Sequence, residues 1–252
     1  MKIKISSLLK KPTTPLERFH ALTKNDYVKI NKIPLPSKAW IKKLRKKIFK
    51  SYPRLPIVYL TKEKLSAGIS LFKTIVQRKS DRQFTKKFIS KKLISKLLLY
   101  GCGLRYYNNA FENNRYYPSA GGRYPLEIYL LSFNTGLKSG LYHYGVKNHL
   151  VEKLISFDKL NHEKYFKEKI ISKSSFIIII TAVFKRTVIK YGNRGYRYIM
   201  FEAGHVCQNL LLLATALNIK SCPIGGFDDY NLDELLDLDS VNESVIYTVA
   251  FS

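Results

Sequence analysis

The stretch that decides the fold of this chain is Tyr117-Pro118-Ser119-Ala120-Gly121-Gly122-Arg123-Tyr124-Pro125. It runs directly into the apolar residues 126–133. Residues 118–122, which we call the glycine loop, have little side-chain bulk, so their backbone can lie flat against a planar ligand. Gly121 and Gly122 can adopt positive φ and approach such a ligand closely. Pro and paired Gly also form ordinary tight turns before strands, so the loop alone leaves both interpretations open.

Further motifs flank the glycine loop in a fixed order. Upstream is Arg78-Lys79-Ser80-Asp81-Arg82, which we call the arginine segment. Downstream follow Lys190-Tyr191, Arg194-Gly195-Tyr196-Arg197, Glu202-Ala203-Gly204-His205, Gln208-Asn209 and Ile224-Gly225-Gly226-Phe227. In this order and at these separations, the motifs resemble the SagB-type branch of the flavin-dependent nitroreductase superfamily. That branch includes azoline dehydrogenases, which form thiazoles and oxazoles in ribosomally made peptides.

The resemblance implies FMN as the cofactor. Arg78, Ser80 and Arg82 offer two guanidinium groups and a hydroxyl, which suit a phosphate and the electron-rich edge of a flavin. The other FMN contacts that the resemblance implies come from Pro118, Ser119, Ala120, Gly121, Gly122, Gln208, Asn209, Gly225 and Gly226.

Two parts of this cofactor site stay open. Nitroreductases often place a basic residue near the C-terminus on the FMN phosphate, but residues 245–252 contain none. Arg123 and Lys220 are candidate substitutes. Gln208 and Asn209 lie in a helix rich in Leu and Ala, where an unsatisfied buried amide costs about 1 to 3 kcal/mol. The pair can contact the flavin or a partner subunit, or bridge to the neighbouring backbone.

The predicted catalytic pair is Lys190-Tyr191. Azoline oxidation removes two hydrogens from adjacent ring carbons, so the flavin takes a hydride and a base must take a proton. SagB-type dehydrogenases carry a Lys-Tyr pair associated with this step. A lysine base must be neutral part of the time, and we expect burial and the nearby Arg194 and Arg197 to favour that form. His205 is interpreted as a structural residue rather than a base.

The resemblance therefore implies an FMN-dependent dehydrogenase that oxidises peptide thiazolines or oxazolines. The implied partners are the precursor peptide, the cyclodehydratase subunits of a synthetase complex and a second copy in a homodimer. Two alternatives stay open. One is a nitro- or quinone reductase that uses NAD(P)H, and the other is a non-catalytic basic scaffold subunit of a peptide-modifying complex.

Composition limits the partners and the compartment. Among the 252 residues, 44 Lys and Arg against 18 Asp and Glu give a formal net charge of +26. We predict an acidic peptide or protein partner and no nucleic acid, because no reader motif is visible. Three cysteines without metal-ligand spacing predict a reducing, cytoplasmic compartment and no metal. The apolar residues 176–184 are much shorter than the about 20 that span a bilayer, so we expect no stable membrane insertion.

Two regions are predicted along the chain: a basic N-terminal extension, residues 1–60, and a catalytic domain, residues 61–252. In the extension, apolar residues at helical spacing among lysines predict a basic amphipathic helix over 37–51. In the domain we predict helices over 61–77, 91–103, 195–218 and 232–238, strands over 126–133, 175–184 and 245–251, and a hairpin formed by 140–144 and 150–154. This mixture predicts an α+β sandwich with a central mixed or antiparallel sheet covered by helices.

Overall fold

The fold is described from a computed structural model, which covers residues 13–24, 37, 49–62, 68–107 and 110–252. The helices within these ranges are α1 (Pro15–Leu22), α2 (Leu71–Gln77), α3 (Lys91–Cys102), α4 (Lys185–Tyr191), α5 (Arg194–Ala216) and α6 (Asp229–Leu235). The strands are β1 (Ile57–Tyr59), β2 (Leu104–Tyr107), β3 (Ala110–Arg115), β4 (Leu126–Ser132), β5 (Gly140–Gly145), β6 (Leu150–Ser156), β7 (Phe176–Val183), β8 (Ser221–Ile224) and β9 (Glu243–Phe251).

A seven-stranded sheet with the order β1-β6-β5-β4-β7-β9-β8 forms the centre of the fold. All of its pairings are antiparallel. The two central strands, β4 and β7, are almost fully buried, because each consists largely of apolar residues and lies between two layers. Strands β2 and β3 form a separate two-stranded ribbon. The predicted α+β sandwich is confirmed, with an antiparallel sheet.

Successive residues of the central strands contribute to two different cores, as the pleat requires. Ile128 and Ile178 point to one face, where α3 and α5 supply most of the packing. Ile177 and Ile179 point to the other face, where α6 supplies Leu232. Burial on both faces explains why β7 is a continuous apolar run without polar alternation.

The pairing of β4 with β7 positions the glycine loop. Because the two strands are antiparallel, the start of β4 at Leu126 pairs with Ala182 near the end of β7. The glycine loop enters β4 at this end of the sheet, and α4 leaves β7 at the same end. The amide of Val183 also donates a hydrogen bond to the carbonyl of Pro125, over 2.9 Å. Two motifs separated by about seventy residues in the sequence are thereby brought together.

The helix predicted over 61–77 is wrong in its first part. Residues 61–62 and 68–70 are not helical, and 63–67 fall outside the described ranges. The helix begins only at Leu71, because the side chain of Ser70 caps it by accepting the amide hydrogen of Lys73. Its predicted end at Gln77 is confirmed. The helix after Ser90, the long helix, the hairpin and the three predicted strands are confirmed within a few residues at their ends.

The basic N-terminal region is only partly described. Most of the amphipathic helix predicted over 37–51 lies outside the described residues, and residues 49–51 are not helical. Helix α1, which the sequence did not predict, packs on the start of α5. Arg197 of α5 donates from Nε to the Thr23 hydroxyl over 2.7 Å and from Nη2 to the His20 carbonyl over 2.8 Å.

Candidate active site

The glycine loop is a tight turn with unusual backbone conformations. Gly121 and Gly122 have φ of 62° and 61°, which other residues adopt only with strain. Tyr124, just beyond the loop, also has a positive φ of 45°. The Ser119 hydroxyl accepts a hydrogen bond from the Tyr124 amide over 2.8 Å. The backbone of the loop is therefore held in one conformation from both of its ends.

Lys190 and Tyr191 lie directly against this loop. A Cβ atom placed on Gly121 would stand 2.6 Å from the Tyr191 hydroxyl and 3.0 Å from Nζ of Lys190. A side chain at position 121 would therefore have to displace the ends of both side chains. The Lys190 ammonium also lies over the Tyr191 ring, 5.0 Å from its centroid. The predicted catalytic pair and the predicted cofactor loop thus form one cluster.

Arg186 connects the helix of the catalytic pair to the sheet. Its Nη2 lies 2.6 Å from Oε1 of Glu127 in β4, and its Nη1 donates to the Tyr124 carbonyl over 3.1 Å. Burial alone would raise the pKa of Glu127, but Arg186 and His143 outweigh it and lower that pKa to about 2. Glu127 therefore remains ionised at neutral pH. It anchors α4 through Arg186 beside the glycine loop.

The arginine segment lies along β8, at a different place on the sheet. The Asp81 amide donates to the Ser221 carbonyl over 3.0 Å. Burial raises the pKa of the Cys222 thiol, and the nearby Arg82 opposes this shift. Within the described part of the chain, the side chains of Arg78, Ser80 and Arg82 form no hydrogen bond or ion pair. Their donors are available to an anionic group.

Lys220 lies beside the arginine segment and the C-terminus. It exchanges two backbone hydrogen bonds with Ser252, over 2.9 and 3.0 Å, and its Nζ donates to the Gln83 carbonyl over 2.6 Å. A cation therefore stands next to a C-terminal strand that has none of its own. Arg123 is buried near the glycine loop, and its Nε has no hydrogen-bond partner among the described residues.

The arginine segment and the glycine loop do not meet within one chain. Cys222 pairs with Ala250, which pairs with Ile177, which in turn pairs with Leu131. Leu131 lies five residues along β4 from Leu126, the first residue of the strand that follows the glycine loop. At about 3.4 Å per residue, the two motifs are separated by about 17 Å along the strands.

The second glycine pair lies between these two places, after β8. A Cβ on Gly225 would meet nothing within 4 Å, so its backbone is open to a ligand. Gly226 is different, because a Cβ atom there would collide with the Glu168 carboxyl, which would have to move. One oxygen of Glu168, Oε2, is buried without a hydrogen-bond partner in the described ranges. Glu168 was not singled out from the sequence.

The amides of α5 are less buried than the sequence suggested. Gln208 is exposed, whereas Asn209 is half-buried and donates to the Tyr116 carbonyl over 3.3 Å and, more weakly, to the Gly101 carbonyl over 3.5 Å. The bridging interpretation of Asn209 therefore has direct support. Gln208 instead points away from the core, on the same exposed face as His205.

Two other expectations about the catalytic pair are not met. Lys190 is exposed in the single chain rather than buried. Arg197 turns its guanidinium to α1, and Arg194 donates to the Thr23 carbonyl over 3.2 Å while it lies over the Tyr198 ring. These two arginines therefore support helix packing around the site.

Glu202 is a buried ionisable residue that the sequence analysis did not predict as part of the site. It lies on the inner face of α5, 2% exposed, beside the Ser119 hydroxyl. Burial raises its pKa to about 8, against the opposing effects of Ser119, Arg115 and Arg186. The available signal was a single acidic residue on the apolar stripe of a helix of 23 residues.

The structure adds two findings on metals and membranes. Among the described residues, no group of three or more His, Cys, Asp or Glu could hold a metal ion. By length and composition, helix α5 is long and apolar enough to cross a bilayer, and 44% of its apolar window is buried within the fold.

Comparison with known proteins identifies the same family that the motifs resemble. The sequence profile of the nitroreductase family matches residues 75–251. The protein MJ1384 of Methanocaldococcus jannaschii is 31% identical over 174 residues, which cover 68% of this chain and 85% of that protein. The microcin B17-processing protein McbC of Escherichia coli is 28% identical over 171 residues, which cover 61% of this chain and 58% of McbC.

Solved structures give the same result for the fold. A crystal structure of an Anabaena variabilis protein superposes with a TM-score of 0.72 at 27% identity, over 94% of this chain and 45% of that one. A chain of the E. coli microcin synthetase McbBCD complex, solved with truncated pro-MccB17 bound, has a TM-score of 0.60 at 21% identity, over 100% of this chain and 97% of that one. With its antiparallel sheet and a profile match that takes in the arginine segment and both glycine motifs, this chain belongs to the nitroreductase family.

Proposed function

We propose that this chain is an FMN-dependent dehydrogenase that oxidises thiazolines or oxazolines of a ribosomally made peptide to thiazoles or oxazoles. The observation that carries the proposal is the contact of Lys190 and Tyr191 with Gly121, which puts a potential base and a phenol against a flavin-type loop. The relationship to a microcin B17-processing protein supports a peptide substrate.

The residues present fit an FMN. Arg78, Ser80 and Arg82 keep free donors for a phosphate or for the flavin edge, and guanidinium groups bind phosphate in a bidentate manner. Lys220 supplies a further cation beside Ser252, in place of the basic residue that the C-terminal strand lacks. The open backbone at Gly122 and Gly225 allows a flat ring to approach closely, because a Cβ at either position would meet nothing within 4 Å.

Residues of this chain accept the proton that azoline oxidation releases. FMN, when bound, supplies the hydride acceptor. Lys190 accepts the proton that leaves the adjacent ring carbon. Its Nζ lies at the glycine loop and forms no ion pair among the described residues. Because Lys190 is exposed in the single chain, this role requires that the bound flavin and the second copy bury it and so favour its neutral form. The Tyr191 hydroxyl, on the other side of the same contact, orients the azoline ring. Tyr198 packs edge-on against Tyr191, with ring centroids 5.0 Å apart, and restricts its rotation.

We further propose a homodimer in which each flavin lies between the two copies. The separation of about 17 Å along the strands keeps one chain's glycine loop away from its own arginine segment. A second copy can present its loop and its Lys190 to that segment. Two small residues on α5 differ in position: Ala203 is buried in its own chain, whereas Gly204 is exposed on the outer face, where a helix of the second copy can approach closely.

An exposed apolar surface lies on α2, beside α5, and suits this dimer. Its four apolar side chains are exposed by 52 to 83%: Leu71, Phe72, Ile75 and Val76. Exposed apolar groups of this kind mark interaction sites more often than free surface. The remaining partners that we propose are the precursor peptide and cyclodehydratase subunits, in the cytoplasm, and the net charge of +26 favours acidic segments among them.

A cofactor and specificity assay tests the proposal. Purified protein is denatured, and the released cofactor is identified by chromatography. We expect FMN at one per chain and no oxidation of NADH by the folded protein. Oxidation of NADH coupled to reduction of a nitroarene or quinone would favour the reductase alternative, and absence of any flavin would favour a scaffold.

A further inference from the structure

Glu168 stands at the N-cap position of the 3-10 helix Lys169–Lys173, but its carboxyl does not cap that helix. An acidic side chain at this position commonly accepts an amide hydrogen from the following turn. Within the described part of the chain, the carboxyl forms no hydrogen bond or ion pair, although the exposed Lys167 and Lys169 flank it. Its atom Oε2 is buried. A buried carboxylate oxygen without a donor is costly, so the arrangement requires a donor that these residues do not supply.

Backbone pairing fixes Glu168 beside the second glycine pair. The Lys167 amide donates to the Gly226 carbonyl over 3.0 Å, and the Asp228 amide donates to the Tyr165 carbonyl over 2.9 Å. Tyr165 is also buried in the core, which anchors the segment before Glu168. A Cβ atom on Gly226 would stand 2.9 Å from Oε2 of Glu168. The carboxyl therefore occupies the space that any larger residue at position 226 would need for its side chain.

The arginine segment lies at the other end of the same strand. The Asp81 amide donates to the carbonyl of Ser221, the first residue of β8, over 3.0 Å. The strand ends at Ile224, directly before the open backbone of Gly225. Four strand residues span about 13 Å. The surface along β8 thus has guanidinium donors at its start, and an open glycine backbone and a carboxylate at its end.

These two ends suit opposite parts of one FMN molecule. The free donors of Arg78 and Arg82 suit the phosphate, which accepts hydrogen bonds. A carboxylate only accepts, so the partner of Glu168 must carry an N–H or O–H group. FMN has both, in the hydroxyls of its ribityl chain and in N3–H of its ring. Among the described residues, no side chain donates to Glu168 in their place.

We propose that Glu168 is a cofactor-binding residue whose carboxylate accepts a hydrogen bond from FMN, from a ribityl hydroxyl or from N3–H. The proposal rests on FMN as the cofactor of the function proposed above, but not on the oxidation of an azoline. It also gives Gly226 a role, because glycine at this position leaves the carboxyl in place.

Fluorescence titration of the apoprotein with FMN measures this contact without any turnover. We expect Glu168→Ala to raise the Kd of FMN by about ten- to a hundredfold, as for loss of a charge-assisted hydrogen bond. Glu168→Gln keeps a neutral acceptor and should raise it less, by several-fold. The matched control is Glu163→Ala, which removes the same charge from an exposed residue of the same segment and should leave the Kd unchanged.

The direction of the change separates a hydrogen bond from an effect of charge alone. The Glu168 carboxylate and the FMN phosphate are both negative, so without a hydrogen bond the loss of the carboxylate would strengthen FMN binding. An unchanged or lower Kd in Glu168→Ala therefore overturns the proposal. If that variant does not fold, a Kd for Glu168→Gln equal to that of the unmodified protein overturns it.

Lumiflavin identifies the donor, because it keeps N3–H but has a methyl group in place of the ribityl phosphate. If Glu168→Ala weakens FMN and lumiflavin by the same factor, the donor is N3–H. If it weakens FMN alone, the donor is a ribityl hydroxyl. Unmodified protein that binds no FMN would overturn this proposal together with the proposed cofactor. Unmodified protein that binds FMN but leaves the azoline peptide unchanged would overturn the proposed function alone.

Discussion

Nζ of Lys190 lies 3.0 Å from the point where a Cβ atom on Gly121 would stand, and the Tyr191 hydroxyl lies 2.6 Å from the same point. The contact joins two segments that the sequence separates widely. Together with the positive φ of 62°, it favours glycine at position 121. It also places a basic and a phenolic group on the surface that a planar ligand would meet.

Replacing Gly121 by alanine should displace this pair. Gly121→Ala inserts a methyl group into the contact, whereas Gly122→Ala has nothing within 4 Å of its Cβ. Both glycines have a φ near +60°, so both alanine variants incur a similar backbone cost of about 1 to 2 kcal/mol. We expect similar thermal unfolding but at least about tenfold lower peptide oxidation in Gly121→Ala. Equal activities in the two variants would show that the contact is not part of the site.

The catalytic pair should be separable from cofactor binding. Lys190→Ala and Tyr191→Phe are expected to keep the flavin absorbance and lose azoline oxidation by about a hundredfold to ten-thousandfold, as is typical for loss of a general base. The flavin spectrum serves as the internal control for folding. If both variants oxidise the azoline at close to the unmodified rate, neither residue is the base, and His205 or solvent accepts the proton.

Cofactor retention should depend on the arginine segment and on Lys220. Arg82→Ala and Lys220→Ala each remove one cation, and a charge-assisted hydrogen bond is worth about 1.5 to 3 kcal/mol, or about ten- to a hundredfold in Kd. Fluorescence titration of the apoprotein with FMN measures the change. Lys79→Ala is the matched control, because Lys79 is already paired with Asp81 over 3.4 Å. An unchanged Kd for Lys220→Ala would indicate that Arg123, rather than Lys220, contacts the FMN phosphate.

The pH dependence of the free energy of unfolding should reflect the raised pKa of Glu202. Its pKa is raised from 4.5 to about 8 in the folded state, so its contribution to stability is complete below pH 4.5 and is lost as the pH rises to 8. Each pKa unit corresponds to about 1.4 kcal/mol. Glu202→Gln removes this loss, and its Tm advantage over the unmodified protein should grow from pH 5 to pH 8 and then level off. A constant difference in Tm across this range would contradict the raised pKa.

Mixed dimers test whether the site is shared between copies. A protein with Arg78 and Arg82 both changed to alanine is refolded or exchanged with Lys190→Ala protein. If each flavin site takes its arginine segment from one copy and its Lys190 from the other, every mixed dimer contains one intact site. Random mixing should then restore roughly a quarter of the unmodified activity. No recovery, with mixed dimers verified by mass, would place the whole site within one chain.

The surface of α2 should determine whether such dimers form. Phe72 and Val76 are 81% and 83% exposed in the single chain, and a buried unpaired charge at either position is costly. Phe72→Asp and Val76→Asp are expected to shift the protein to monomers in light scattering and to weaken flavin retention. The control, Tyr230→Asp, changes an equally exposed aromatic residue on α6, 82% exposed, and should leave the dimer intact.

Much of the fold was predictable, because long apolar and amphipathic segments determine their own structure. The buried strand over Phe176–Val183 and the helix over Arg194–Ala216 are examples. Helix α4 was not predicted, since seven residues without a capping side chain give little local signal. Its position depends instead on the Arg186–Glu127 ion pair and on the end of β7.

The candidate site, too, was predictable only as far as local sequence patterns determine it. Its motifs could be identified in the sequence, but the contact between Gly121 and Lys190 follows from the pairing of β4 with β7, which sequence patterns do not specify. The raised pKa of Glu202 depends on its burial in the fold, which sequence patterns do not specify either. The sequence suggested a structural role for His205, which the fold leaves exposed.

The mass of a cyclodehydrated peptide tests the central claim most directly. A synthetic peptide with one thiazoline ring is incubated with the FMN-loaded protein and oxygen, and its mass is measured over time beside the Lys190→Ala variant. The account predicts the loss of two hydrogen atoms per ring with the unmodified protein, no change with the variant, and no requirement for NADH. An unchanged peptide mass, with FMN bound and the protein dimeric, would contradict it.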